Sequence, residues 1–106
     1  MRLIAAKARE IAMLNGGTKE SYYRCKSVRN TVQRIESCIS REAHDGATSL
    51  EFYFVMSQTN GLRLPSREEV EEIGAELTKY GYGWLLMCID SRCNLEIGCC
   101  HLRIVW

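Results

Sequence analysis

Five residues near the end of the chain carry the side chains best suited to metal or redox chemistry: Cys88, Cys93, Cys99, Cys100 and His101. Zinc prefers thiolate and imidazole ligands, but structural zinc sites typically present them as C-x2-C or H-x3-5-H pairs. The spacing here is C-x4-C-x5-C-C-H. Neighbouring strand residues point to opposite faces, so Cys99 and Cys100 are poorly placed to share an ion, whereas Cys99 and His101 lie on one face. Two interpretations stay open: a zinc site of Cys88, Cys93, Cys99 and His101, or buried free thiols, which we favour.

A cysteine nucleophile would need a general base within hydrogen-bonding distance. Cys99 and His101 are about 7 Å apart along a strand, which makes direct contact poor, and nothing in the sequence predicts that His44 approaches them. The chain also has no glycine-rich phosphate loop, no serine nucleophile motif and no pair of carboxylates suited to acid–base catalysis. We therefore expect a protein that is not an enzyme and that has no cofactor.

A predicted helix ending near Gly81 carries an acidic stripe formed by Glu68, Glu72 and Glu76. These residues are four apart, so their carboxylates lie on the same side of the helix. The stripe could be a solvated outer face. It could also dock a basic surface of a partner, and we favour it as a partner-binding surface.

Three aromatic residues, Tyr80, Tyr82 and Trp84, follow the acidic stripe and are separated by glycines. Glycine leaves the ring faces accessible, so such a segment could line a ligand platform. The alternative is a helix end followed by aromatic residues of the core. We include the three rings in the predicted partner-binding surface.

The small net charge of +1 hides an uneven distribution along the chain. Residues 1–45 contain nine Lys and Arg against five Asp and Glu, whereas residues 46–106 contain five against eight. Opposite charges on two surfaces favour self-association or a partner with its own charge pattern. Arg34 and Arg41 belong to the basic half, and a second hypothesis places them beside the aromatic turn at a subunit boundary, where they would bind a small anionic ligand.

The composition is that of an ordinary globular protein. A chain of 106 residues predicts a single domain over residues 1–106, with 46% hydrophobic and 25% charged residues. A near-neutral charge predicts no general affinity for nucleic acid, and no apolar run is long enough for a membrane span. Six cysteines without a signal peptide predict free thiols in a reducing compartment, so we expect a cytoplasmic protein.

Periodic apolar residues predict three helices. The first covers residues 3–14, and the second starts at a Thr18 N-cap and runs for over six turns to about residue 43. The third begins at the N-cap Ser66, where Glu69 completes a capping box, and ends at Gly81. In that helix Gly74 lies on the buried face, which lets the backbone approach a sheet closely.

Three strands complete the predicted fold. Residues 48–56 alternate between apolar and polar side chains, residues 57–64 form a loop, and residues 84–90 and 94–106 form a terminal hairpin. The element order α-α-β-α-β-β predicts an α+β two-layer sandwich, with the helices on one face of a three-stranded mixed sheet. The other face would expose Tyr53 and Val55, so we expect a homodimer or a larger oligomer.

Four short motifs spread over the chain carry a resemblance to small accessory proteins of tailed bacteriophages. Residues 8–12 read A-R-E-I-A, residues 35–46 form the end of a long helix that runs into an Asp-Gly turn, residues 77–82 follow L-x-x-x-G-Y, and residues 104–106 end in I-x-W. This resemblance is architectural and implies no catalytic residues. Such proteins commonly act by stoichiometric binding, so it implies a role in the host bacterium's cytoplasm.

The leading hypothesis is therefore a phage protein that binds and inhibits a bacterial host protein, as anti-CRISPR proteins do. Its binding surface would be formed by Glu68, Glu72, Glu76, Tyr80, Tyr82 and Trp84. One alternative is an oligomeric sponge that sequesters a small anionic or nucleotide signal through Arg34 and Arg41. The other is a zinc-binding interaction domain built on the terminal hairpin.

Overall fold

The structure is a computed structural model that describes residues 22–106. Its elements in chain order are β1 (Tyr23–Cys25), α1 (Val28–His44), β2 (Ser49–Gln58), β3 (Gly61–Arg63), α2 (Arg67–Lys79), β4 (Gly83–Ser91) and β5 (Cys99–Val105). The described part of the chain is therefore α+β, as predicted. Neither of its two helices combines the length and apolar character needed to span a bilayer.

Within residues 22–106 the sheet is mixed and has five strands in the order β1-β2-β5-β4, with β3 also paired to β2. β1 runs parallel to β2, whereas the other pairs are antiparallel. Met56 pairs with Cys25 on one side and with Arg63 on the other, so β1 and β3 lie on opposite sides of β2. β3 and β5 follow one another along the same edge of β2. The predicted sheet of three strands was therefore too small.

The extra strand β1 corrects the predicted second helix. Tyr23–Cys25 is a strand, and α1 begins only after Ser27, whose hydroxyl accepts a hydrogen bond from the Asn30 amide at 3.0 Å. Cys25 and Val28 are three residues apart, which suits a helix, but Ser27 is a stronger start signal because its side chain satisfies an otherwise unpaired amide. The predicted helix over residues 3–14 and the Thr18 cap lie outside the described residues.

Two further boundaries differ from the prediction. β2 extends to Gln58 and turns through Asn60 into β3, so the predicted loop over residues 57–64 contains a short hairpin. The last strand begins at Cys99 rather than at residue 94. Gly98, at φ +81°, lies against the β4 backbone, where an added Cβ would be 3.0 Å from the Asp90 carbonyl oxygen. This close backbone contact lies just before the strand.

α2 forms as predicted, because its start and end signals are both local. The Ser66 hydroxyl accepts from the Glu69 amide at 3.1 Å, and the Glu69 carboxylate accepts from the Ser66 amide at 2.8 Å. Gly81 ends the helix at φ +88°, a conformation that costs glycine little. The Tyr82 amide then donates to the Leu77 carbonyl at 3.0 Å.

The core lies between the two helices and one face of the sheet. α1 buries Val32, Ile35, Cys38 and Ile39, and α2 buries Val70, Ile73 and Leu77. From β2 the core receives Leu50, Phe52, Phe54 and Met56, the face predicted from the alternation. Tyr23 stacks on Phe52 with ring centroids 5.0 Å apart, which ties β1 to the core.

Gly74 lets α2 approach the sheet, as predicted, and the group it accommodates is an indole ring. A Cβ at position 74 would lie 2.0 Å from the Trp84 side chain. Trp84 therefore packs directly against the α2 backbone, and any larger residue at position 74 would displace it.

Candidate functional site: the groove between the helices and the acidic face of α2

The two helices leave a groove of about 590 Å³ between them. Among its lining residues are Val28, Arg29, Val32, Gln33 and Glu36 of α1, together with Glu76 of α2 and Tyr80 just beyond it. Val32 is buried and Val28 is half-buried, so the groove has an apolar floor with polar and charged residues around it. Binding sites combine apolar area with a few polar groups in this way.

Tyr80 owes its position to the end of α2. It is the C-cap residue, and its amide donates to the Glu76 and Leu77 carbonyls. Because Gly81 then turns the chain away, the Tyr80 side chain stays 56% exposed. An exposed aromatic ring beside a groove gives a partner a large, rigid contact area at a low cost in entropy.

Glu76 connects the groove to the outer surface of α2. Its carboxylate accepts a hydrogen bond from the Lys79 ammonium group at 3.1 Å, and the side chains of Lys79 and Glu76 are 70% and 40% exposed. Such a surface pair is weak, so a partner's cation can replace Lys79 at little cost.

The acidic face of α2 continues from Glu76 through two exposed residues, Glu68 and Glu72. Glu69 differs from these, because the Arg63 guanidinium donates to both of its carboxylate oxygens at 2.8 and 2.9 Å. The hydrogen bonds from Arg63 and from the Ser66 amide lower the pKa of Glu69 to about 2, although burial opposes the change. Glu69 is thus held within the fold, and Glu68 and Glu72 remain available to a partner.

The three predicted aromatic residues have different environments. Tyr82 and Trp84 are half-buried and pack against the core, and only Tyr80 is exposed. Of the six residues predicted for partner binding, the structure places Glu76 and Tyr80 in the groove and Glu68 and Glu72 on the adjoining outer face. Tyr82 and Trp84 instead pack against the core.

Arg34 and Arg41 lie at the β1 edge of the molecule, around Tyr23. The Arg34 guanidinium lies 5.5 Å from the Tyr23 ring centroid, and Arg41 donates to the Cys38 sulfur at 3.6 Å. The Tyr23 hydroxyl is also 3.6 Å from that sulfur, and burial raises the pKa of Tyr23, with further contributions from Cys38. The Tyr23 ring thus already contacts both Phe52 and Arg34. Neither arginine is among the described residues that line the groove.

The four thiols of the terminal hairpin lie near one another but have different surroundings. Cys99 and Cys100 are buried, and Cys88 and Cys93 are half-buried. Burial, with a contribution from the Cys88 thiol, raises the pKa of Cys100 to about 12, and burial together with the Cys93 thiol raises the pKa of Cys99. Burial thus favours the protonated form of these two thiols. Within residues 22–106 no group of three or more His, Cys, Asp and Glu side chains could hold a metal ion.

His101 faces away from the core and belongs to a different cluster. Its Nε2 donates to Glu51, whose other carboxylate oxygen accepts from Arg103 at 2.7 Å. Its ring stacks on Tyr53 with centroids 4.2 Å apart. Cys88 pairs with His101 across the strands, but its thiol donates to Asp90 at 3.3 Å. No hydrogen bond between Cys88 and His101 appears in the described part of the chain, so the two do not form a nucleophile–base pair there.

The same cluster corrects the expectation that Tyr53 and Val55 are exposed on the open face. Val55 is fully buried, and Tyr53 is half-buried against His101. Large hydrophobic side chains are still exposed on this face at Leu85, which pairs with Arg103, and at Val105, which pairs with Ser49. Met87, Ile97 and Tyr80 are also exposed. The alternation of β2 identified the face correctly, but cross-strand partners such as His101 can be assigned only when the register is known.

Sequence reasoning missed the α1 side of the groove. The predicted second helix began too early, at Thr18, which concealed that α1 begins at residue 28 and leaves its first turns beside α2. The Ser27 cap was the available signal. No protein-family model, curated protein or solved structure was found to match the chain.

Proposed function

We propose that the protein is a non-enzymatic binding protein that inhibits a partner by occupying it. Its binding surface is the groove between α1 and α2, together with the acidic face formed by Glu68, Glu72 and Glu76. The observation that supports this most is the meeting of Glu76 and Tyr80 in one groove over an apolar floor. The Glu76 carboxylate there supplies a charged contact, and the exposed Tyr80 ring supplies an apolar anchor.

The chemistry of this surface favours a basic partner segment. Exposed carboxylates of α2 attract Lys and Arg side chains and raise the rate of encounter. The groove can then accept one aliphatic or aromatic side chain between Tyr80 and Val32. A helix or loop with several basic residues and one apolar anchor meets both requirements. In line with the phage resemblance, we propose that the partner is a bacterial host protein involved in antiviral defence.

The direct test is a titration with a defined probe, a Lys-rich helical peptide that carries one leucine. We expect wild-type protein to bind it with an affinity that falls as salt is raised, because exposed charges are screened. Glu72→Lys should weaken binding about tenfold or more, since a reversed charge repels the peptide. Tyr80→Ala should weaken it without changing the salt dependence, because it removes an apolar contact.

The matched control is Arg92→Glu, a charge reversal at an exposed residue in the loop before β5. It changes the net charge in the opposite direction and lies outside α2, so it should leave affinity nearly unchanged. Binding that persists at full affinity in Glu72→Lys would show that the acidic face is not the site. The same variants then apply to a partner captured from bacterial lysate, where Glu72→Lys should lose a partner that Arg92→Glu retains.

A further inference from the structure

β4 is the edge strand on the far side of the described sheet. It pairs with β5 along one side only, and its nine residues run from Gly83 to Ser91. The backbone N–H and C=O groups on its other side have no strand partner within the described sheet. Such an edge is a template for another strand, and native proteins commonly protect it with charges, proline or bulges.

The first half of β4 has none of these protecting features. Residues 83–89 read G-W-L-L-M-C-I, without a charge or a proline. Pairing with β5 is regular from Gly83 to Leu86, and irregularities begin only between Leu86 and Cys88. Leu85 is 59% exposed and Met87 is 43% exposed. An uncharged, regular and apolar edge is suited to pairing with another strand.

We propose that this edge is a homodimer interface, in which residues 83–87 of β4 pair antiparallel with the same segment of a second copy. In a two-fold arrangement centred on Leu85, that residue lies opposite itself and Trp84 lies opposite Leu86 of the other copy. The two edges then form one continuous sheet across the dimer.

The chemistry of the edge identifies the occupant as a second copy. The strand itself offers no charge to a partner, because residues 83–89 are uncharged, and Arg103, which lies beside Leu85 on β5, is already paired with Glu51. The apolar area is self-complementary, since each copy contributes Leu85 at the centre. Val105, 41% exposed, widens the patch, because its side chain lies over Gly83, where an added Cβ would be 2.6 Å from Val105 Cγ2.

This interface is independent of the proposed binding groove. The groove is lined by α1 and the end of α2, whereas the interface uses the strand edge and the exposed Leu85. Loss of the dimer would therefore leave peptide binding by one copy unchanged. A dimer would present two acidic faces to a partner, which increases avidity for a repeated basic target.

Two measurements on the full-length protein test the proposal. Native mass spectrometry over a range of protein concentrations should show a monomer–dimer equilibrium. Hydrogen exchange at low and high concentration should show protection that increases with concentration at residues 83–87. A different interface would protect other amides, so this measurement requires no variant.

The variant test uses Leu85→Lys with Ile97→Lys as its control. Leu85→Lys places two like charges opposite each other and should raise the dimer dissociation constant about tenfold or more. Ile97 is 41% exposed in the loop before β5 and has no role in the interface, so Ile97→Lys should leave the constant unchanged. Circular dichroism verifies that both variants are folded.

Three results would overturn the proposal: a wild-type protein that stays monomeric at the highest concentration, a dimer whose β4 amides gain no protection, or a Leu85→Lys variant that dimerises as well as wild type. A β4 edge that captures a strand of a different protein while the chain itself stays monomeric would also exclude the homodimer.

Discussion

The two faces of β2 are held by different interactions, although one strand carries both. The residues that face the helices, Phe52 among them, are apolar and lie in a continuous core. On the other face Glu51 bridges His101 and Arg103, and Tyr53 stacks on the His101 ring. One face is therefore stabilised by burial, which depends little on pH, and the other by paired charges, which depend on it strongly.

The difference also explains which face sequence patterns describe well. Apolar periodicity reports burial against a helix and needs no knowledge of the partner strand. The polar face gains its stability from residues that are 48 to 52 positions apart in the chain, and these become neighbours only through the register of β2 with β5.

The largest expected effect is on the helix-covered face. Phe52→Ala removes a ring that Tyr23 stacks on and that contacts Phe54, so we expect a loss of ~3–5 kcal/mol in the free energy of unfolding. Urea denaturation followed by circular dichroism measures it. Ile97→Ala, at an exposed site, should change the value by no more than ~0.5 kcal/mol. A loss below about 1 kcal/mol for Phe52→Ala would mean that the core repacks around the cavity.

The adjacent residue tests the other face. Glu51→Gln keeps the size of the side chain but removes the charge that pairs with His101 and Arg103, so we expect a loss of ~1–3 kcal/mol. The same denaturation experiment compares it with Phe52→Ala. Arg103→Gln should cost less than Glu51→Gln, since Arg103 is 44% exposed and the His101 contact remains. If Glu51→Gln leaves the free energy of unfolding unchanged, the ion pairs of Glu51 do not contribute measurably to stability.

The pH dependence distinguishes the two faces in the wild-type protein. Burial alone would raise the pKa of Glu51, but hydrogen bonds and charges from His101 and Arg103 outweigh it and lower the pKa below 4.5. A carboxyl whose pKa is lower in the folded state contributes stability that is fully present above its unfolded pKa and is lost as the pH falls through the folded pKa.

We therefore expect wild-type stability to fall as the pH is lowered below about 4.5, and the part of the fall due to Glu51 should not exceed the cost of Glu51→Gln at neutral pH. Denaturation curves recorded at successive pH values measure this change. In Glu51→Gln the fall should be shallower over the same range, whereas Phe52→Ala should keep the wild-type slope. Equal slopes in wild type and Glu51→Gln would assign the acid sensitivity to other carboxylates, of which Glu69 is the first candidate.

The smallest effect is expected where the same kind of ion pair lies at the surface. Arg63 contacts Glu69 with two hydrogen bonds, but the Arg63 side chain is 41% exposed. Solvent screens this pair, so Arg63→Gln should lower stability by only ~0.5–1 kcal/mol despite the low pKa of Glu69. Thermal denaturation at low and high salt measures it. If Arg63→Gln lowered stability as much as Glu51→Gln, the difference in burial would not determine how much each ion pair contributes to stability.

Patterns formed by residues close in sequence correctly predicted the ends of α2 and the buried face of β2. The capping box at Ser66, the stop at Gly81 and the apolar alternation of β2 each depend on residues close in sequence, and all three are confirmed. The short strands β1 and β3 were missed because three residues give too little periodicity. Their existence depends on pairing with β2, which no local pattern reveals.

The candidate site was accessible to sequence reasoning only in part. Glu68, Glu72 and Glu76 were identified as one stripe because helical spacing alone sets it. The contribution of α1 to the groove required its true start at residue 28 and its packing beside α2. The exposure of Leu85 likewise depends on the position of β4 at the edge, which follows from the insertion of β5 between β2 and β4.

That insertion has a consequence for the order of folding during translation. β5 is the last of the described strands to be synthesised, yet it occupies the middle of the sheet. Until β5 has left the ribosome, β2 and β4 lack the strand that pairs with both of them. Both then present unpaired edges to a chaperone or to a neighbouring nascent chain. Slow synthesis just before residue 99 would lengthen that interval, and aggregation of the nascent protein should increase with it.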